Sequence, residues 1–502
     1  MFAAVTSSTL LATMGSLIVV EAHVGQGIPA FTVVGLPDEG CRESRDRVRA
    51  AMLSSDLAWP TKRVTINLAG SGERRGGAGL DLAIAVGLLV ATGVLSQEAV
   101  EGKAFVAELG LDGSLRPTPG MAPLVSAVGD HEVVVAATAV GEASLARVPR
   151  LRPVHTLKQL VEVLRAEEAW PHVAVPEPQV VMDEIADMAD VRGQEMARLS
   201  LEVAAAGFHH VLLMGPPGAG KSMLARRLPG LLPRLTDEQA FRVAMARSAA
   251  GMPMSAVVTS SAPYRAPHHT VSMIGMVGGG SSHLRPGELT LASDGVLFLD
   301  EMGEFAPTVL DALRQPLEEG VVRLSRANGS VTMPARCLLV AATNPCPCGV
   351  SSPLACTCTP IAKQRYLRRF SGPLLDRFDL RVELQRPSTT ELTSKSKSEC
   401  SAAIAERVQR VHEMCMARQG CVNSSLSADA LEEVAPLEDD ALNVLRVRLD
   451  EGRLTGRGYH RVRRVARTLA DLHCSEGPIG SEWVHLALSM RATLQTGHGE
   501  MR

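Results

Sequence analysis

HVLLMGPPGAGKSMLARRL, residues 210–228, decides the fold. Its first five residues read as a buried strand, and MLARRL reads as the opening of a helix. Between them GPPGAGKS, residues 215–222, fits G-x-x-x-x-G-K-[S/T]. Strand, glycine-rich loop and helix in that order form a phosphate cradle, because loop N–H groups and the helix N-terminus converge on anionic oxygens. Gly215, Pro216, Pro217, Gly218, Ala219, Gly220, Lys221 and Ser222 are the candidate ATP-binding residues. Lys221 would reach the β and γ phosphates, and Ser222 would ligate Mg²⁺.

Two further strands complete the chemistry downstream. GVLFLDE (295–301) is an apolar strand ending in Asp300 and Glu301. Asp300 suits the Mg²⁺ shell, and Glu301 suits the polarisation of an attacking water. CLLVAATNP (337–345) is another strand, with Asn344 at its end to orient that water. LLDRFDL (374–380) presents Arg377, either as an arginine finger for a neighbouring site or as an ion-pair partner of Asp376 or Asp379. Such fingers raise turnover by roughly 10³–10⁵-fold.

Working outward, residues 183–386 alternate helix and strand, the pattern of a mostly parallel α/β sheet. Residues 1–166 form a separate unit. SLIVVEAHV, AFTVVGL, RVTINLAG, AFVAEL and HEVVVAAT read as its strands, and ESRDRVRAAMLSS and LDLAIAVGLL as its helices. Residues 167–182 carry Pro171, Pro176 and Pro178 and read as a stiff linker. Residues 387–399 (PSTTELTSKSKSE) are polar and read as a flexible connection. Residues 400–502 read as helices. The strongest, GRGYHRVRRVARTLADL (456–472), sets Tyr459, Val462, Val465 and Leu469 on one face and Arg457, Arg461 and Arg464 on another. Arg457 is a candidate to touch the γ-phosphate in cis, with Arg461 its competitor.

The 502 residues suffice for about three domains. Net charge is −3, so any nucleic-acid contact rests on a local surface. Aromatics are 3% of residues, which argues against a base-stacking platform. The opening MFAAVTSSTLLATMGSLIVV lacks a basic n-region and is broken by Ser and Thr, so no secretion signal is expected. LAIAVGLLVATGVL (82–95) is too short to span a bilayer and reads as a buried helix. A cytoplasmic protein with reduced scattered cysteines is the expectation.

GPPGAGKS, GVLFLDE, AATNP and SGPLLDRFDL together resemble an AAA+ ATPase. YRAPHHTVSMIGMVGGG (264–280), RPGELTLASDGVLFLDE, LDALRQPLEEG and VVRLSRANGSVTMPA narrow this to the magnesium-chelatase-like ATPases. FTVVGLPDEGCRESRDRVRAAMLSS (31–55) and TINLAG extend the resemblance to the ComM (YifB) family over the whole chain. The resemblance implies a Lon-protease-like (S5-like) α+β domain, a P-loop core and a C-terminal helical lid. It implies a homo-hexamer with Arg377 acting on the adjacent subunit and Arg457 as second sensor. It also implies a DNA helicase that drives branch migration in recombination or natural transformation. A protein-remodelling ATPase of the magnesium-chelatase type is the alternative.

The front domain departs from a working Lon protease. Ala78 in RRGGAGLDL takes the serine's place, and PGMAPLVSAV (119–128) has no lysine. A partner-binding or ring-supporting role is expected instead. VVRLSRANGSVTMPA reads as a hairpin offering Arg323 and Arg326 to DNA phosphates, or simply solvated arginines. SMIGMVGGG (272–280) reads as a flexible insertion that either grips a backbone or packs on a neighbour. Tyr264, Arg265, His268 and His269 read as a polar knot for subunit contact or nucleotide sensing. Finally, CPCGVSSPLACTC (346–358) holds Cys346, Cys348, Cys356 and Cys358, four of ten cysteines. Four thiolates can close a zinc shell that stiffens this insertion, with reduced thiols and a redox disulfide pair as the other readings.

Overall fold

The computed structural model describes residues 1–35, 39–69, 78–280, 284–326, 329–349, 356–367, 369–370, 372–393 and 398–492. In the core, five short strands form one all-parallel sheet in the order 264–265, 296–299, 338–343, 211–214, 380–383. Val211–Met214, Val296–Leu299 and Leu338–Thr343 are buried at every position. A strand covered on both faces reads as an unbroken apolar run, which is why these three stand out in sequence.

The first unit is built on a seven-stranded mixed sheet in the order 30–34, 63–69, 14–25, 2–11, 103–106, 132–136, 151–154. Its central helix, Asp81–Ala91, accounts for the apolar run at 82–95, being buried at all but one position. Phe2–Leu11 is a strand despite its serines and threonines. Ser7 Oγ donates to the Phe105 carbonyl and Ser8 Oγ to that of Leu124, both at 2.7 Å, so neither hydroxyl is buried unpaired. Ala78 opens a short 3₁₀ turn into the central helix, and Met121–Ser126 forms the helix anticipated near residue 120.

That helix packs on the core helix Asp237–Ala249. Ala122, Leu145, Phe241 and Ala244 share one buried cluster across the junction. The Arg147 guanidinium lies 3.5 Å from the centroid of the Phe241 ring. Ser248 Oγ donates to Glu142 Oε1 at 2.6 Å, and burial raises the Glu142 carboxyl above its usual range. The proline-rich linker does not stay free to its end: Gln179–Val181 pairs in parallel with Val257–Thr259.

Three other segments differ from the sequence reading. Residues 272–280 are not simply a flexible loop, for Met273–Val277 is a helix capped by Ser272 and anchored by the buried Met276. Gly278–Gly279 then pairs with Arg285–Pro286. The polar connection contains the helix Thr389–Thr393, and its end is clamped by Arg407, which bonds Glu399 and Glu202. In the helix Gly456–Leu472, Val462, Val465 and Leu469 are buried as expected, but the arginine face is not uniformly solvated. Arg464 Nε donates to the Leu426 carbonyl at 2.9 Å, and Arg461 sits 3.8 Å from Asp379. Arg463, unremarked in the sequence, is buried and donates to the carbonyls of Leu431 and Ala435. Among the described residues no helix is long and apolar enough to cross a membrane.

Candidate functional site

The phosphate loop turns through Gly218 at φ +80° and Gly220 at φ +89°, a left-handed backbone that residues with a Cβ rarely adopt. Its strand lies between 338–343 and 380–383, so the loop emerges beside Asn344 and, one strand further, Asp300 and Glu301. Pro217 to Met223, Asp300, Glu301 and Ala342 to Asn344 line one cleft of about 340 Å³. Gly215 and Pro216 contribute carbonyls beneath it.

Within the cleft the groups converge. Lys221 Nζ donates to the Gly215 carbonyl (2.6 Å), the Pro216 carbonyl (3.0 Å) and Asn344 Oδ1 (3.1 Å). Partial burial lowers the Lys221 ammonium below its usual range, against the pull of Asp300 and Glu301. Ser222 Oγ donates to Asp300 Oδ2 at 2.8 Å, so the hydroxyl and carboxylate oxygens suited to Mg²⁺ already face each other. Glu301 is exposed and takes the left-handed conformation, φ +50° and ψ +49°, unusual for a residue with a Cβ. Its amide donates to Asp300 Oδ1 at 3.0 Å. Strain of this kind concentrates at functional sites.

Residues not anticipated from sequence brace the cleft. Gln194 Nε2 donates to the carbonyls of Ala219 (3.2 Å) and Gln385 (2.5 Å), tying the loop to the last strand. The Tyr366 hydroxyl bonds Thr343 Oγ1 at 2.8 Å and the Asn344 carbonyl at 3.1 Å. No sequence pattern marks these, because each acts across more than twenty residues of chain.

Arg377 stands elsewhere. It precedes the strand Leu380–Glu383, which runs parallel to Val211–Met214, so it lies at the opposite sheet edge from the phosphate loop. Four strand residues span ~13 Å. The ion pair it makes is with Glu318, not with the anticipated Asp376 or Asp379. Arg377, Arg461, Arg464, Glu318 and Asp379 line a second cavity on that edge. Arg457 and Arg461 are the two candidates for a contact in cis with the γ-phosphate. Neither lines the cleft, Arg461 faces Asp379, and Arg457 is exposed one turn earlier on the same helix. Behind this edge His209 Nδ1 bonds Asp379 Oδ2 at 3.0 Å, and His209 Nε2 meets Thr468 Oγ1 at 2.8 Å. The Asp379 carboxyl is held down to about 2: the His209 bond and the nearby cationic groups outweigh burial, the largest single effect, which pushes it up.

Val321–Arg326 and Gly329–Pro334 form the expected hairpin, with Arg326 opposite Gly329 beside the turn. Arg323 is exposed and pairs with Glu319 at 2.7 Å; the Arg326 side chain lies outside the described residues. The polar knot divides: Arg265 forms a two-pronged pair with Glu288 (2.6 and 2.8 Å), Tyr264 stacks on Phe298, and the His268 and His269 rings lie 4.1 Å apart.

The four cysteines of the insertion come together, every Sγ within 4.8 Å of the others. Cys346 Sγ lies 3.0 Å from Cys348 Sγ and 3.6 Å from Cys356 Sγ, and the latter two are 3.5 Å apart. A tetrahedron with Zn–S bonds near 2.3 Å has edges of about 3.8 Å, so these donors fit a four-thiolate shell. Burial and the adjacent sulfurs push the Cys346 thiol up to about 12.

Three family descriptions match the chain. Residues 187–392 match magnesium chelatase subunit ChlI, residues 20–139 match subunit ChlI of Mg-chelatase, and residues 398–491 match its C-terminal domain. Competence protein ComM of Haemophilus influenzae is 39% identical over 500 residues, 98% of both chains. An uncharacterized protein of Mycobacterium tuberculosis is 41% identical over 487 residues, 95% of this chain and 96% of its own. YifB of Escherichia coli, also uncharacterized, is 38% identical over 480 residues, 95% of this chain and 94% of its own.

Proposed function

The chain belongs to the magnesium-chelatase-like AAA+ family that includes ComM and YifB, and on that premise we propose an ATP-hydrolysing hexameric motor acting on DNA. One observation carries the ATPase half: Lys221, Ser222, Asp300, Glu301 and Asn344 line a single cleft. Ser222 and Asp300 would hold Mg²⁺, which supplies charge neutralisation for the phosphates. Lys221 binds the terminal phosphates, Asn344 orients the attacking water, and Glu301 takes its proton.

Arg377 completes the site of an adjacent subunit, since its own cleft lies at the other sheet edge. Arg457, exposed one turn before Arg461, serves as second sensor in cis. The hairpin arginines Arg323 and Arg326 bind DNA phosphates, and six copies in a ring concentrate a charge that the chain's net −3 conceals. The DNA reading is supported by that hairpin and by the family, one of whose members carries the name competence protein. The substrate is branched or single-stranded DNA in recombination or natural transformation. The first unit is a Lon-like domain without a Ser–Lys dyad; it supports the ring or binds a partner in the cytoplasm.

The test is ATP turnover with and without a labelled four-way junction or forked duplex, following strand release, with Glu301→Gln as control. DNA-stimulated turnover with release only from the active protein supports the motor. Turnover indifferent to DNA, with no release, favours the second reading, a protein-remodelling ATPase. That reading draws on the match to a chelatase subunit and on the small net charge.

A further inference from the structure

The cysteine cluster begins two residues after Asn344, which lines the nucleotide cleft, and this suggests more than local stiffening. We propose that the cluster is a four-thiolate site for Zn²⁺ that sets the rate of ATP turnover by holding Asn344 and the phosphate loop in register. This rests on reading the cleft as an ATPase site.

Cys346 follows Asn344 by two residues and is buried. The Gly349 amide donates to the Cys346 carbonyl at 2.9 Å, which turns the first cysteine pair back toward the cleft. Gly349 itself takes φ +74°, and a Cβ there would lie 2.9 Å from Pro217 Cδ and 3.0 Å from Pro217 Cγ. The backbone of the knuckle therefore rests directly on the phosphate loop, with no room for a methyl group.

The second pair leads elsewhere. Cys356 and Cys358 run straight into the helix Pro360–Leu367. Tyr366 on that helix is buried, meets Phe370 edge-on at 5.3 Å, and bonds Thr343 and the Asn344 carbonyl. Asn344 is thus flanked by two contacts, Gly349 on Pro217 ahead of the cysteine turn and Tyr366 behind it. The cysteine pairs join the segments that carry those two contacts. A metal bridging the pairs fixes both at once, and Asn344 Oδ1 in turn holds Lys221 Nζ at 3.1 Å. Releasing the metal lets the two contacts move independently, and a misplacement of about 1 Å in a reacting group costs on the order of 10²-fold in rate.

Untagged full-length protein is analysed for metal by elemental analysis. Zinc is then displaced with a mercurial and followed with a chromogenic chelator, while binding of a fluorescent ATP analogue and turnover are measured before and after. One zinc per chain is expected. Its removal should leave analogue binding in place and lower kcat by about 10²-fold, with recovery once excess dithiothreitol strips the mercurial and zinc is added back. Tyr366→Phe and Gly349→Ala should keep the metal yet lower kcat, whereas Cys356→Ser with Cys358→Ser should lose both. Circular dichroism of each variant separates this from unfolding. Protein that is isolated without metal yet turns over ATP at a rate zinc does not raise, or whose kcat is unchanged when zinc leaves, overturns the proposal. Wild type that holds zinc but binds no analogue overturns the cleft reading instead, and leaves no rate for the metal to set.

Discussion

Arg377→Ala mixed with Lys221→Ala separates an arginine that acts on a neighbour from one that acts on its own site. Arg377 precedes the strand 380–383 while the phosphate loop follows the parallel strand 211–214, so the two lie ~13 Å or more apart across the sheet. Its carboxylate partner, Glu318, is 65% exposed while Arg377 is 16% exposed, so a melting midpoint taken alongside checks that Arg377→Ala stays folded. Alone, each variant should be nearly inert, Arg377→Ala by roughly 10³-fold or more. In an equimolar mixture each subunit supplies either an intact loop or an intact arginine. A head-to-tail ring pairs the two productively at half times half of its interfaces, so turnover should recover to about 25% of wild type. The assay is steady-state phosphate release after subunit exchange. Absence of recovery, with exchange verified by mixed-label energy transfer, would refute the reasoning and return Arg377 to a structural ion pair.

Glu301→Gln should retain nucleotide and lose turnover by about 10²–10⁴-fold, read by filter binding and phosphate release; full turnover would remove Glu301 from catalysis. His210 is half-buried, and desolvation lowers its imidazole from 6.5 to about 4, so the unfolded chain binds a proton there that the folded chain refuses. Its contribution is complete above pH 6.5 and falls by about 3 kcal/mol as pH drops toward 4. Calorimetric midpoints between pH 7.5 and 5 should therefore drop less steeply in His210→Asn than in wild type, and equal slopes would contradict this. Phe241→Ala empties the junction beneath Arg147 and should cost about 3 kcal/mol of docking, seen as faster proteolytic cleavage within residues 167–182.

The catalytic strands were legible because a strand with two covered faces writes itself as a run such as VLFL or LLVAA. Their order was not, since nothing local to Val211–Met214 says that residues 338–343 and 380–383 flank it. The same limit hid His209 with Asp379, 170 residues apart. Glycine content misled at 272–280, where one buried methionine and a serine cap outweigh four glycines. On the helix 456–472 the sequence grouped Arg464 with Arg457 and Arg461, yet Arg464 is spent on the Leu426 carbonyl, and the neighbouring Arg463 on those of Leu431 and Ala435. Side-chain length lets a guanidinium reach inward from a position whose Cα looks outward. Phe2–Leu11 was obscured by polar residues such as Ser7 and Ser8, whose hydroxyls find carbonyl acceptors on a neighbouring strand and helix.

The left-handed backbone at Glu301 makes stability and activity pull in opposite directions at a single codon. An L-residue there carries a penalty of about 1–2 kcal/mol that glycine would not. Glu301→Gly should therefore yield a chain that melts later and hydrolyses nothing. Any library screened for thermal resistance alone would enrich this variant, and a design that idealises every turn would erase the proposed proton acceptor first.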